Sequence, residues 1–121
     1  MSILVSGGAG YIGAHVVRLL LERGDRVVVA DDFSTGERGR VEGATIVEID
    51  IASDRAVPAL ANAMVDEDVS AVIHFAARKR VGESVARPLH YYQQNIGGLA
   101  NVLYAMAETG VERFVFSSSA A

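Results

Sequence analysis

The segment Val5-Ser6-Gly7-Gly8-Ala9-Gly10-Tyr11-Ile12-Gly13 decides how the chain is read. An apolar run, Ile3-Leu4-Val5, leads into it, and an amphipathic stretch from Ile12 to Arg23 leads out. That order is strand, tight turn, helix. The glycines fit two registers: Gly7, Gly10 and Gly13 as G-x-x-G-x-x-G, or Gly8, Gly10 and Gly13 as G-x-G-x-x-G. Either one removes β-carbons where a pyrophosphate would meet the backbone and where the helix must press on the sheet. The first N–H groups of the helix, at its positive dipole end, then face the anion. Glycine triplets often only turn a chain. Placement at the first strand–helix junction, with an acid further on, makes this one a dinucleotide cradle.

Around that segment the chain has 121 residues, enough for one domain with a real core. Half of them are hydrophobic and only 7% aromatic, which suits a layered α/β core. A formal charge of −4 gives no electrostatic case for nucleic acid. The lack of cysteine excludes disulfides, cysteine-held metals and thiol catalysis, and no other metal site is read here. The first residues carry no basic segment ahead of a long apolar run, and no apolar stretch reaches the ~18–20 residues that span a bilayer. Neither a signal peptide nor a membrane partner is expected, and a cytoplasmic location is.

In chain order, the first helix closes at Gly24, and His15 in its first turns reads as a packed or partly exposed side chain. Arg26-Val27-Val28-Val29-Ala30 reads as a strand buried on both faces. It ends in Asp31-Asp32. Asp31 is placed to accept hydrogen bonds from ribose hydroxyls and to repel a 2′-phosphate, which favours NAD over NADP; Asp32 reads as a solvated turn acid. Arg38 and Arg40 could neutralise an extra phosphate. The loop from Phe33 through Ser34-Thr35-Gly36 could wrap the adenosine.

Thr45 to Ile49 predicts a third strand ending at Asp50-Ile51, beside the adenine in a doubly wound sheet; Asp50 could bond the base and Ile51 offer it a flat apolar contact. Ser53 or Asp54 would cap a helix from about Arg55 to Val65. Ser70 to Phe75 predicts a fourth strand whose His74 makes a local hydrogen bond, followed by small Ala76-Ala77 and the cations Arg78-Lys79-Arg80, suited to phosphate. A long helix from Arg87 to Glu108 would bury Leu89, Tyr92, Ile96, Leu99, Val102, Leu103 and Met106, with Gly110 closing it. Gly97 and Gly98 inside it cost about 2 kcal/mol relative to alanine, which a close backbone approach would explain. Glu112 to Phe116 predicts a fifth strand. The whole is an α/β, doubly wound parallel sheet of order 3-2-1-4-5, with the ligand crossing the carboxyl ends of strands one and four.

Gly7-Gly8-Ala9-Gly10-Tyr11-Ile12-Gly13, Asp31-Asp32-Phe33-Ser34-Thr35-Gly36, Asp50-Ile51, His74-Phe75-Ala76-Ala77, Lys79 with Val81-Gly82-Glu83-Ser84, Tyr91-Tyr92 with Asn95, and Ser117-Ser118-Ser119 together resemble the extended short-chain dehydrogenase/reductase family, and within it the UDP-glucose 4-epimerase branch. The resemblance covers nearly the whole chain. It implies a Rossmann-type domain over residues 1–121, incomplete at its C-terminal side and without the substrate domain. It also implies a tightly held, recycled NAD. Gly7, Gly10, Gly13 and the N–H groups of Tyr11 and Ile12 would meet the pyrophosphate, Asp31 to Gly36 the adenosine, and Asp50 and Ile51 the adenine. Phe75, Ala76, Ala77, Lys79 and Ser117 would line the groove, and Asn95 would steady the cofactor loops. Ser119 takes the position of the catalytic serine/threonine, which bonds the reacting hydroxyl of a UDP-sugar. A tyrosine phenolate would take the sugar's 4-hydroxyl proton while hydride passes to nicotinamide, and the hydride would return to the other face of the rotated 4-keto sugar.

No Tyr-x-x-x-Lys pair occurs in these residues, whereas in the family it lies downstream of the serine position. The chain is therefore expected to be the N-terminal part of a homodimeric epimerase, inactive alone and prone to associate through the open edge of its fifth strand. Asp32, Gly97 and Leu99 depart from the family's usual residues. The alternatives are another sugar-nucleotide epimerase or dehydratase, disfavoured by Ala120-Ala121 where dehydratases usually carry an acidic pair, and a non-catalytic NAD-binding module.

Overall fold

The computed structural model describes residues 1–8, 10–33, 38–75 and 88–117, with the backbone alone at 38, 88 and 90–95. Their order is β1 (Ser2–Ser6), α1 (Tyr11–Glu22), β2 (Arg26–Asp31), a 3-10 turn (Arg38–Val41), β3 (Thr45–Glu48), α2 (Ala56–Asp66), β4 (Ala71–His74), α3 (Pro88–Thr109) and β5 (Arg113–Phe116). Each strand pairing is parallel, and the sheet order is β3-β2-β1-β4-β5, as the crossover rule predicts.

Alternation along the strands sends side chains to two cores. Ile3, Val5, Val27 and Val29 meet Ala14, Val17 and Val41 on the α1 side. Leu4, Val28, Ala30 and Val72 meet Leu60, Met64, Val102, Ala105 and Met106 on the side of α2 and α3. Both faces of the central strands are covered, which is why their sequences are unbroken apolar runs. Each fully buried valine or leucine contributes about 1.5–3 kcal/mol.

The helix ends follow the sequence with one exception. After α1, the Asp25 N–H donates to the Leu20 carbonyl and the Gly24 N–H to that of Leu21, both at 3.0 Å, the paired bonds of a glycine-closed helix. Gly110 closes α3, with the Val111 N–H donating to the Met106 carbonyl at 3.1 Å. The expected cap of α2 by Ser53 or Asp54 is corrected: Arg55 holds the cap position, and no side-chain cap bond forms. The Ala56 N–H donates to the Ser53 carbonyl instead, and Asn101 of α3 donates to that same oxygen.

The buried face of α3 also differs from expectation. Val102 and Met106 are buried as expected, but with Gly98 and Ala105 rather than with the larger apolar residues. Leu89 is 78% exposed, and Ile96 and Leu103 are exposed as well. Small residues win this face because they let α3 settle closely on α2 and on the turn after β3. Gly98 explains the closeness: an added Cβ would lie 2.9 Å from Ile51 Cδ1, so its near neighbour is a side chain, not the backbone expected. Gly97 has only an ordinary contact, 3.8 Å from Ala52 Cβ.

One polar pair crosses the middle of the sheet. Ser6 and His74 are register partners at the carboxyl ends of β1 and β4, both buried. Ser6 Oγ and His74 Nδ1 share a 2.6 Å hydrogen bond whose direction follows the imidazole tautomer. The ring stacks against Phe116 and Phe114, with centroids 5.6 and 6.4 Å away. Burial lowers the His74 pKa to about 4 from its ordinary 6.5, so the ring is neutral at physiological pH. The unfolded chain takes up this proton near pH 6.5 and the folded one only near 4, so stability falls as the pH drops through that window. Between pH 7 and pH 4 the loss assigned to this ring is about 3 kcal/mol. Urea unfolding at both pH values should show the native chain losing about that much more than His74→Asn; equal losses would place the titration elsewhere.

Candidate dinucleotide-binding site

Because every strand runs the same way, all five carboxyl ends share one edge of the sheet. Backbone bonds join them into a continuous rim. The Ile49 N–H donates to the Asp31 carbonyl (3.0 Å), Gly7 to Ala30 (2.8 Å), Phe75 to Ser6 (2.7 Å) and Ser117 to His74 (3.1 Å). Gly7, Asp31, Asp50, Phe75 and Ser117 are thereby brought to the same rim, in the order the sheet dictates.

The glycine turn sits at its centre, and its glycines do different work. Gly7 has φ +79°, a left-handed conformation that costs a residue with a side chain about 1–2 kcal/mol. A Cβ on Gly8 would lie 2.9 Å from Val29 Cγ1 and 3.2 Å from Val17 Cγ2, in the seam between α1 and β2. One on Gly13 would fall 2.4 Å from the Gly7 carbonyl oxygen, a backbone atom with no room to yield. Gly8 and Gly13 therefore let α1 begin directly over the strand. Gly10 is different: its φ of −71° suits any residue, and among the described residues a Cβ there has no neighbour nearer than the Gly7 carbonyl oxygen at 3.5 Å. Packing among the described residues does not require a glycine at that position, which leaves the space over the start of α1 open.

That start is equipped for an anion. Gly10 occupies the cap position without a side-chain cap bond, and the first turn contains no acid. The leading N–H groups of a helix have no acceptor within it, and here they come from Tyr11, Ile12 and Gly13. Tyr11 is 85% exposed and Ile12 also faces outward, so neither side chain is held in the core.

Two turns flank the cradle. At the end of β2, Asp31 Oδ1 accepts the Phe33 N–H at 2.7 Å and so fixes the half-buried carboxylate on the rim. Phe33 pays with φ +59°, rare for a bulky residue, and is held there by packing against the α1-side core. Asp32 is half-buried, not the fully solvated acid expected. After β3, Asp50 Oδ1 accepts the Ala52 N–H at 3.0 Å, an aspartate-closed turn. Ile51 is only 8% exposed: contact with Gly98 draws it into the core, so the broad apolar face expected of it is largely spent on packing.

Phe75 is half-buried at the end of β4 and packs against the α1-side core. Ser34, Thr35, Gly36, Ala76, Ala77, Lys79 and Ser119 lie outside the described residues, as does the side chain of Asn95. Asn101 was missed in the sequence. Its Nδ2 donates to the carbonyls of Ile51 (2.8 Å) and Ser53 (3.1 Å), so α3 grips the turn after β3. The available signal was a lone polar residue three positions after Gly98 and beside Val102 on the small-residue face of α3.

A groove of about 490 Å³ lies between α1 and the 3-10 turn, and its lining includes Tyr11 of the expected site and Arg40, read in the sequence as able to neutralise an extra phosphate. On its wall the exposed Arg18 donates to His15 Nδ1 at 2.8 Å. Among the described residues, no three potential metal-ligating side chains come together, and no helix is long and apolar enough to cross a membrane.

Comparison with known proteins agrees with this geometry. The family model described as "NAD dependent epimerase/dehydratase family" matches residues 3–121. A UDP-glucose 4-epimerase of Halalkalibacterium halodurans is 43% identical over the whole chain, which spans 35% of that relative's length. One from Klebsiella pneumoniae is also 43% identical, over 99% of this chain and 90% of its own sequence. The crystal structure of UDP-glucose 4-epimerase from Brucella ovis in complex with NAD superposes with a TM-score of 0.89 at 42% identity, covering 97% of this chain and 35% of that one. The matched residues take in the glycine turn, the two acid-bearing turns and all five strands, and the chain belongs to the NAD-dependent epimerase/dehydratase family.

Proposed function

We propose that this chain is the NAD-binding part of a UDP-glucose/UDP-galactose 4-epimerase. The observation that supports the cofactor reading is Gly10, a glycine that no packing among the described residues explains, at a helix start without a side-chain cap. The similarity to UDP-glucose 4-epimerases supports the reaction. NAD, when bound, would supply the hydride acceptor and donor for the sugar C4. The chain's own part is to hold it: N–H groups at Tyr11 to Gly13 on the pyrophosphate, Asp31 on the adenosine ribose, and the Asp50 turn beside the adenine. Fixed N–H dipoles and a fixed carboxylate bind without reorganising, which suits a cofactor that is kept and not exchanged. Asp31 favours NAD over NADP by repelling a 2′-phosphate.

Ser119 would bond the sugar's reacting hydroxyl, and the tyrosine base would come from sequence beyond these 121 residues, which contain no Tyr-x-x-x-Lys. The exposed stripe of Leu89, Ile96 and Leu103, spaced two helical turns apart on α3, supports a homodimer contact through that helix. On this reading the enzyme acts in the cytoplasm on UDP-sugars.

The longest natural polypeptide carrying this chain should interconvert UDP-galactose and UDP-glucose with no net consumption of NAD, while residues 1–121 alone should show no turnover. Loss of water from the sugar, or stoichiometric accumulation of NADH, would mean a dehydratase or dehydrogenase instead. Two substitutions separate cradle from scaffold. Gly10→Ala should leave the unfolding free energy within about 1 kcal/mol of native yet weaken NAD binding about tenfold or more by calorimetry. Gly13→Ala should destabilise the fold itself by about 3 kcal/mol. Equal behaviour of the two would refute the division of labour among the glycines.

A further inference from the structure

The contacts between α3 and the turn after β3 extend beyond packing. That turn, Asp50 to Ser53, is held from three directions. Asp50 Oδ1 closes it from within through the Ala52 N–H, and the Ser53 N–H donates to the Asp50 carbonyl at 2.9 Å. Asn101, some fifty residues away in sequence, spends both hydrogens of its amide on the carbonyls of Ile51 and Ser53. Gly98, one helical turn earlier, leaves the space that Ile51 fills: a Cβ would lie 2.9 and 3.0 Å from its Cδ1 and Cγ1. The N-terminus of α2, where a cap would have fixed the turn locally, has no side-chain cap bond. The Ser53 hydroxyl is buried without a hydrogen-bond partner. The local bonds close the turn on itself, and α3 adds the contacts that fix where it sits.

We propose that Asn101 and Gly98 are positioning residues for the adenine end of the cofactor, setting the height and angle at which Asp50 meets the base. The proposal rests on the reading that the Asp50 turn lies beside the adenine. A carboxylate held on a doubly anchored turn distinguishes an amino group, which donates to it, from an oxo group, which presents a second acceptor. Loss of the Asn101 amide frees two carbonyls and lets the turn drift. Drift costs base discrimination before it costs binding of the pyrophosphate, which is held at α1.

The test compares NAD with nicotinamide hypoxanthine dinucleotide, whose base carries an oxo group where adenine carries the amino group, by calorimetry on the longest natural polypeptide that carries this chain. The native protein should prefer NAD about tenfold or more, and Asp50→Ala should abolish that preference. Asn101→Leu, similar in size but without donors, should bring the ratio of the two affinities close to one. Gly98→Ala should lower it in the same direction by displacing Ile51 while leaving the Asn101 amide in place, and it serves if Asn101→Leu does not fold. A structural role alone would lower the unfolding midpoint of either variant and leave the ratio at its native value. That result, with Asp50→Ala still abolishing the preference, overturns the positioning role while sparing the adenine reading. If the native protein shows no preference, or Asp50→Ala keeps it, the adenine reading fails and the proposal falls with it.

Discussion

The structure depends on how closely α1 approaches the sheet at its first turn. With 2.4 Å between a Gly13 Cβ and the Gly7 carbonyl, the helix could not begin where it does if that residue carried a side chain. Gly8 extends the same requirement to the seam with β2, where Val17 and Val29 close the α1-side core. Only with the helix start pressed onto the end of β1 do its free N–H groups open directly on the rim. One geometric condition thus both packs the helix on the sheet and exposes its leading N–H groups. Gly10 is the glycine of the turn that packing among the described residues does not call for.

The rim itself is secured by polar contacts under it. Ser6 and His74 tie the ends of β1 and β4 together inside the core, where their hydrogen bond offsets part of the cost of taking the imidazole out of water and two phenylalanines stack on the ring. The same edge tolerates a left-handed phenylalanine at position 33 because the Asp31 carboxylate and the α1-side core hold it from both ends. Strain at such a place is a feature of binding edges more than of scaffolds.

Much of this was legible in the sequence because the signals were local. Unbroken apolar runs, a glycine-dense junction and helix-closing glycines at 24 and 110 fix the element order, and the handedness of crossovers fixes the sheet order. What local reading missed was decided by contacts distant in sequence. The periodicity of α3 fits two adjacent faces, and only its neighbours show that Gly98 and Ala105, rather than Leu89 and Ile96, turn inward. Ser53 has the residue type of a cap, but it is its backbone carbonyl that accepts the Ala56 N–H, and Asn101 from another helix donates to that same oxygen. Ile51 was read as a surface for the base because nothing in its own segment reveals that Gly98 makes room for it in the core.

The central claim is that the N–H groups of the first turn of α1 receive the cofactor's pyrophosphate. It is tested most directly by following amide resonances of a 15N-labelled sample as ADP-ribose is added. The account predicts the largest shifts at Gly10, Tyr11, Ile12 and Gly13, with smaller ones at Phe33 and Ala52, whose N–H groups are bonded to the two rim carboxylates. Shifts confined to the groove lined by His15, Arg18 and Arg40, with the glycine turn unmoved, would contradict it.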